Sequence, residues 1–230
     1  MNFKEFHENL ISLGEPEYQT IQSNIIPNIS KEKIIGIRLP KLIRFAKKNI
    51  DEKFKKKFLK HLPHKYLEED LIHVWLINKM ENYDECIKAV KVFLPYVKNW
   101  EISDSFMPKA FRQNADELID ELEILLKSDS TYTVRFAILM MLKFYLDENY
   151  DKKYLQWVAD IRSDEYYIEM MAGWFFTEAL IKHYDDAIIF LEKRMLYPKI
   201  HTKTIQKAVE TRRLTDEQKE YLKTLRRRYW

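Results

Sequence analysis

Apolar residues recur at spacings of three and four along almost the whole chain, with polar residues between them. Three examples are Leu42-Phe45-Ala46, Leu71-Val74-Trp75 and Leu118-Leu122-Leu125. This period places the apolar side chains on one face of an α-helix. The pattern predicts helices over residues 3–13, 17–25, 40–49, 51–60, 65–80, 83–96, 101–112, 114–127, 131–146, 150–161, 164–182, 184–195, 201–211 and 215–228.

Helix caps and prolines support several of these boundaries. Pro40 suits the first turn of a helix, and Pro108 is expected to kink or split the 101–112 segment. Ser163 offers an N-cap for the helix that follows it. Thr215 and Gln218 have the spacing of a capping box.

The spacing of the helices predicts their arrangement. Connections of a few residues make sequential helices antiparallel neighbours. From about residue 51 the helices pair into units of roughly 30 to 40 residues, which is the period of HEAT-like repeats. With only three glycines in the chain, folds that rely on many tight turns are disfavoured. We therefore predict an all-α fold, a single domain over 1–230, in which HEAT-like repeats stack as a solenoid with a concave face.

Composition excludes several classes of site. Cys86 is the single cysteine and follows the apolar pattern, so we expect a buried thiol and no disulfide or cysteine-rich zinc site. His61 and His64 share a short loop, a spacing that we attribute to chance. The chain contains no glycine-rich phosphate loop, and no metal or cofactor is expected. No apolar run approaches the length of a membrane span, so a cytoplasmic location is expected.

Positive charge is concentrated at the C-terminal end of the chain, although the formal net charge is only +3. This basic tail is either a surface for phosphate groups or a solvated terminal face. Its basic residues are Lys199, Lys203, Lys207, Arg212, Arg213, Lys219, Lys223, Arg226, Arg227 and Arg228.

Four residues stand out as candidates for chemistry. Trp100 and Asp104 are four positions apart, which places an aromatic ring and a carboxylate on one helix face. Arg135 interrupts an apolar run, where a cation needs a partner. Trp174 follows Gly173, which leaves room for another group to approach closely. A structural alternative stays open: both tryptophans as core residues, and Asp104 as an N-cap or as the partner of Arg135 in a buried pair.

The order and spacing of these four residues resemble the site of the AlkD-like DNA alkylation repair glycosylases. Two further segments resemble that family, 36–42 (GIRLPKL) and 207–213 (KAVETRR). The resemblance spans nearly the whole chain and implies HEAT-like repeats.

The resemblance also implies an activity. Members of this family hydrolyse the N-glycosidic bond of cationic N3- or N7-alkylpurines in duplex DNA, without a metal, and leave the damaged base in the duplex. Asp104 would stabilise the oxocarbenium-like transition state, and Trp100 and Trp174 would contact the sugar and the lesion. Arg135 would contact a backbone phosphate.

The chain departs from active members of that family at three positions. Pro27 replaces an aromatic residue of the N-terminal recognition helix, and Met170 and Thr177 replace basic residues near the later tryptophan. In this respect the chain resembles the branch that lacks the recognition helix.

We therefore expect a monomeric DNA glycosylase whose partner is duplex DNA carrying alkylated bases. The alternative of a different class is a non-catalytic HEAT-like scaffold that binds nucleic acid or protein through its concave face. A third possibility is a repeat protein in which the Trp–Asp–Arg cluster is a buried structural network.

Overall fold

A computed structural model describes residues 2–26 and 28–226, and this part of the chain contains helices and no β-strand. Fifteen α-helices are described: α1 Phe3–Ile11, α2 Pro16–Ile25, α3 Leu39–Asn49, α4 Glu52–Phe58, α5 Leu67–Asn78, α6 Tyr83–Phe93, α7 Trp100–Asp104, α8 Lys109–Gln113, α9 Ala115–Leu125, α10 Thr131–Phe144, α11 Lys153–Ala159, α12 Tyr166–Lys182, α13 Tyr184–Glu192, α14 Pro198–Glu210 and α15 Asp216–Thr224. The predicted all-α fold is confirmed.

The sequence signals at the helix ends are mostly confirmed. Pro40 lies in the first turn of α3, and the segment around Pro108 is split into α7 and α8. Thr215 and Gln218 form the capping box of α15. The predicted N-cap at Ser163 is wrong, because α12 begins later, at Tyr166, and the Ser163 hydroxyl accepts the N–H of Glu165 instead.

The chain forms two compact units, Met1–Phe111 and Arg112–Trp230. In the first unit, α5 packs against α3, α6 and α7. Phe6, Phe58 and Phe93 are among its fully buried side chains, and Cys86 is buried as expected. The continuous domain over 1–230 and its concave face stay predictions.

The second unit is a stack of neighbouring helices. Helix α12 packs between α10 and α14, while α9 packs on α10, α13 on α12, and α15 on α14. Phe136, Phe175 and Phe176 fill the core of this stack. Neighbouring helices that pack in this way are typical of HEAT-like repeats. The packing follows from apolar faces that no single helix pair can bury alone.

None of the helices in the described ranges is long and apolar enough to cross a membrane. Three positions discussed above, Pro27, Arg227 and Arg228, lie outside the described residues.

Candidate functional site

Trp100 and Asp104 are the first and last residues of the short helix α7, so the prediction that they share one helix is confirmed. The side chain of Asn99, which is 3 % exposed, caps this helix by accepting the N–H of Ile102 at 3.0 Å. Asp104 is therefore at the C-terminal end of its helix, and the alternative that it is an N-cap is wrong. Both Trp100 and Asp104 are partly exposed.

Four hydrogen bonds hold the ends of this site in place. The indole N–H of Trp100 donates to the carbonyl of Ile25, the last residue of α2, at 3.2 Å. The Ser103 hydroxyl lies 3.0 Å from Asp104 Oδ1 and can donate to that oxygen. Beyond the helix, the Asn78 side chain donates to Ser105 O and accepts the N–H of Met107, both at 2.8 Å. The Asp104 carboxylate is thus carried on a short helix whose two ends are fixed by hydrogen bonds.

Helix α7 carries a second carboxylate, that of Glu101. Glu101 Oε1 lies 3.5 Å from the side-chain nitrogen of Gln22 on α2, and Gln22 is only 2 % exposed. Burial raises the pKa of Glu101, although its hydrogen bond to Gln22 opposes the increase. The Glu101 carboxyl group is therefore directed at α2 through its contact with Gln22. The contact between Gln22 and Glu101 could not be predicted from the sequence, because nearly eighty residues separate them.

The segment 36–42 is held by a buried carboxylate. Glu68, at the start of α5, accepts the backbone N–H groups of Ile35, Gly36 and Ile37 at 3.0, 2.7 and 3.2 Å. Gly36 has φ of +85°, and a Cβ atom there would lie 2.6 Å from the backbone nitrogen of Gln19. Only glycine fits this turn against α2. This role of Glu68 was not predicted, because a glutamate in the first turn of a helix is an ordinary favourable charge.

Arg135 lies on α10 and is buried, with 3 % of its surface exposed. Its Nη1 atom donates to the carbonyl oxygen of Tyr167 at 2.8 Å. The guanidinium carbon lies 5.9 Å from the centroid of the Tyr167 ring and 5.6 Å from the Trp174 ring. Helix α12 thus supplies partners for this cation in the form of a carbonyl and two aromatic rings.

Trp174 lies on α12 with 38 % of its surface exposed, so it is not a core residue. The glycine beside it has a clear purpose. A Cβ atom at Gly173 would lie 3.0 Å from Lys203 Cβ and 3.2 Å from the Lys203 carbonyl carbon. The group that approaches closely, as the sequence predicted, is therefore the backbone of α14. This approach places Lys207 Nζ 5.6 Å from the centroid of the Trp174 ring.

The structure also explains why Thr177 is not basic. Thr177 is 7 % exposed, and its hydroxyl donates to the Gly173 carbonyl at 2.8 Å within the contact between α12 and α14. A charged side chain there would be buried. The cations nearest Trp174 come instead from other helices, Arg135 on α10 and Lys207 on α14. Lys207 was recognisable in the sequence as part of the basic tail, but its position over the Trp174 ring depends on the packing of α14.

The second unit also contains a cleft that is separate from Arg135 and Trp174. This cleft of about 650 Å³ is lined by residues including Trp157, Arg162 and Asp129. Among residues 2–26 and 28–226, no group of three or more His, Cys, Asp or Glu side chains is arranged to hold a metal ion.

Comparison with known proteins identifies the family. No curated protein matches the chain. The family model described as DNA alkylation repair enzyme matches residues 6–227, which is nearly the full length. The chain therefore belongs to the DNA alkylation repair enzyme family.

Proposed function

We propose that this protein hydrolyses the N-glycosidic bond of cationic N3- or N7-alkylpurines in duplex DNA, without a metal ion. Membership of the DNA alkylation repair family supports DNA as the partner. The observation that carries the catalytic part is the accessible Trp100–Asp104 pair at the two ends of helix α7.

The chemistry needs little more than a placed carboxylate. Alkylation at N3 or N7 gives the purine a positive charge, so the bond electrons that move to the base produce a neutral leaving group. Positive charge then develops on the sugar, where a nearby carboxylate lowers the barrier electrostatically. Water adds to the anomeric carbon and gives up a proton. Asp104 is proposed to stabilise the sugar cation, orient this water and accept its proton.

The other residues are assigned supporting roles. Trp100 presents a partly exposed indole next to Asp104 and is proposed to contact the sugar. Arg135 and Trp174 are proposed to contact the DNA strand from the second unit, with Arg135 directed at a backbone phosphate. No residue is required to protonate the base, because the alkylated purine leaves without protonation.

The test is release of 7-methylguanine from methylated duplex DNA by the wild-type protein and by Asp104→Asn. Removal of one such electrostatic contact lowers the rate by a factor of about 10² to 10³. Asp120→Asn is a matched control, because Asp120 is an exposed aspartate on α9. Asp104 is partly exposed, so the melting temperature of Asp104→Asn should be close to that of the wild type.

Two outcomes would contradict the proposal. Excision by Asp104→Asn at the wild-type rate would remove the carboxylate from the mechanism. No excision by the wild type, with a large fall in the stability of Asp104→Asn, would mean that Asp104 belongs to a buried structural pair, whose disruption costs about 3–5 kcal/mol. That result would favour the non-catalytic scaffold.

The scaffold remains the second candidate because of one observation. Lys203 and Lys207 lie over aromatic rings of α12, an arrangement suited to nucleic acid whether or not the protein cleaves it. A protein that binds duplex DNA and releases no base would fit this candidate.

A further inference from the structure

Two lysines of α14 are laid over aromatic rings of α12. Lys203 Nζ lies 5.3 Å from the centroid of the Tyr166 ring, and Lys207 Nζ lies 5.6 Å from that of Trp174. Arg135 approaches the same Trp174 ring at 5.6 Å. We call these five side chains the cation–aromatic ladder. It lies wholly within the second unit.

The ladder exists because α12 and α14 pack unusually closely. Gly173 lets the α14 backbone approach to a distance at which a Cβ atom would be only 3.0 Å from Lys203 Cβ. Lys203 and Lys207 are four residues apart, so they lie on one face of α14, about 5–6 Å apart at their Cβ atoms. Because the two helices pack closely, the ammonium groups of Lys203 and Lys207 lie over aromatic rings of α12.

The charges around the ladder differ from one end to the other. Lys199, one turn earlier on α14, is neutralised by Asp164 at 2.9 Å and Glu169 at 3.5 Å. Lys203 has no salt-bridge partner in the described ranges. Lys207 has Glu210 at 3.6 Å, but that carboxylate is 54 % exposed and is well screened by water. The positive charge available to a ligand is thus centred on Lys203 and Lys207.

The sign of the charge over Trp174 decides what this part of the protein can bind. The Trp174 ring already has two protein cations within 5.6 Å of its centroid. A cationic alkylpurine brought to this ring would meet the like charge of Lys207, whereas a phosphate would meet an opposite charge. The ring stabilises the cations, and the cations in turn select an anion.

We propose that the cation–aromatic ladder is a binding site for consecutive phosphates of one nucleic-acid strand, and that Trp174 supports the phosphate-binding cations and does not contact the alkylated base. This inference deepens the proposed function and rests on its assumption that the protein binds DNA. It does not rest on catalysis. It also reassigns Trp174 from the lesion contact suggested by family resemblance to a positioning residue. The rings hold the lysines in place before binding, so less side-chain freedom is lost when a strand binds.

The first test is the salt dependence of binding to unmodified duplex DNA. The slope of log K against log salt concentration is negative, and each lost phosphate contact reduces its magnitude by about 0.9. In the double variant Lys203→Gln/Lys207→Gln the magnitude of the slope should therefore be smaller by about 1.8. The matched control is Lys53→Gln/Lys57→Gln on α4, which removes the same charge at the same spacing from two exposed lysines. A slope that falls equally in both variants, or in neither, would overturn the proposal.

The second test separates the two roles of Trp174. Trp174→Leu keeps an apolar side chain but removes the ring that supports Lys207 and Arg135. It should weaken binding to methylated and unmodified duplexes by the same factor, about 5-fold. If Trp174 contacts the cationic base, only the methylated duplex should be bound more weakly, and that result would refute the inference. Melting temperatures of the variants show whether they remain folded.

Failure of this inference and failure of the proposed function give different results. Excision of 7-methylguanine with a salt slope unchanged by Lys203→Gln/Lys207→Gln would remove the ladder and leave the glycosylase. Binding that follows the predictions, with no base released, would establish the ladder and remove the glycosylase. No duplex binding by the wild-type protein would overturn both.

Discussion

The Glu68 carboxylate gives the sharpest prediction about stability, because a single side chain accepts three backbone N–H groups. It is 0 % exposed, and its oxygens lie 2.7 to 3.2 Å from the nitrogens of Ile35, Gly36 and Ile37. Burial raises the pKa of Glu68, while the hydrogen bonds from these backbone N–H groups oppose the increase. The segment 36–42 has no other buried carboxylate acceptor in the contacts described.

Glu68→Gln keeps the shape of the side chain and changes its donors. The amide oxygen can still accept two of the N–H groups, but the amide NH₂ then faces the third. A lost hydrogen bond to a charged acceptor costs about 1.5–3 kcal/mol, and relief of the buried charge offsets part of this cost. We expect the free energy of unfolding to fall by about 2 kcal/mol. Glu68→Ala leaves all three N–H groups without a partner, and we expect a loss of about 4 kcal/mol.

The assay is urea denaturation of both variants, combined with hydrogen exchange at the amides of residues 35–37. These three amides should exchange faster in each variant, because they lose their acceptor. The matched control is Glu85→Gln, an exposed glutamate in the first turn of α6, which should change stability by less than about 0.5 kcal/mol. If Glu68→Gln is as stable as the control and its amides at 35–37 stay protected, the hydrogen bonds described here do not hold this segment.

Three further outcomes are expected from packing and pH. Gly173→Val should lower the free energy of unfolding by about 1–3 kcal/mol, since its Cβ atom would crowd Lys203 Cβ at 3.0 Å; a variant of wild-type stability would contradict the close helix contact. Burial raises the pKa of Asp70 to about 8. The protonated Asp70 side chain therefore contributes fully to the free energy of unfolding below pH 4, and this contribution is lost as the pH rises through 8. Asp70→Asn should therefore gain stability over the wild type by up to about 1.4 kcal/mol per pH unit between pH 4 and 8 in denaturation experiments, and a constant difference would refute the assignment. Burial lowers the pKa of both His64 and His73 to about 3, so in the Asp70→Asn variant stability should fall as pH drops below about 6.5, where the unfolded histidines take up protons; a flat profile down to pH 4 would exclude this.

The helices were predictable from the sequence because their signals are local. Apolar spacing, the proline at position 40 and the Thr215–Gln218 capping box each act within a few residues, and each is where the sequence placed it. The boundary at Ser163 was missed by about two residues, because a hydroxyl that can cap a helix can also accept an N–H in the turn before it.

The sequence also marked residues that do not fit a simple helix, but not what they contact. Arg135 in an apolar run required a partner, and Gly173 required a close neighbour; both expectations depend only on the residue and its immediate surroundings. The tertiary structure decided that Arg135 donates to the Tyr167 carbonyl and that Gly173 faces Lys203. Pairings between residues about thirty positions apart depend on how helices pack, and no local pattern encodes them.

The same limit applies to the chemistry. The i, i+4 spacing of Trp100 and Asp104 was enough to place a ring and a carboxylate on one helix. It could not show that Lys203 lies over Tyr166 and Lys207 over Trp174. The sequence identifies the lysines and the aromatic residues, but their contact depends on how α12 and α14 pack. Local periodicity thus determined which residues form helices, and only the packing of α12 against α14 decided which charges surround Trp174.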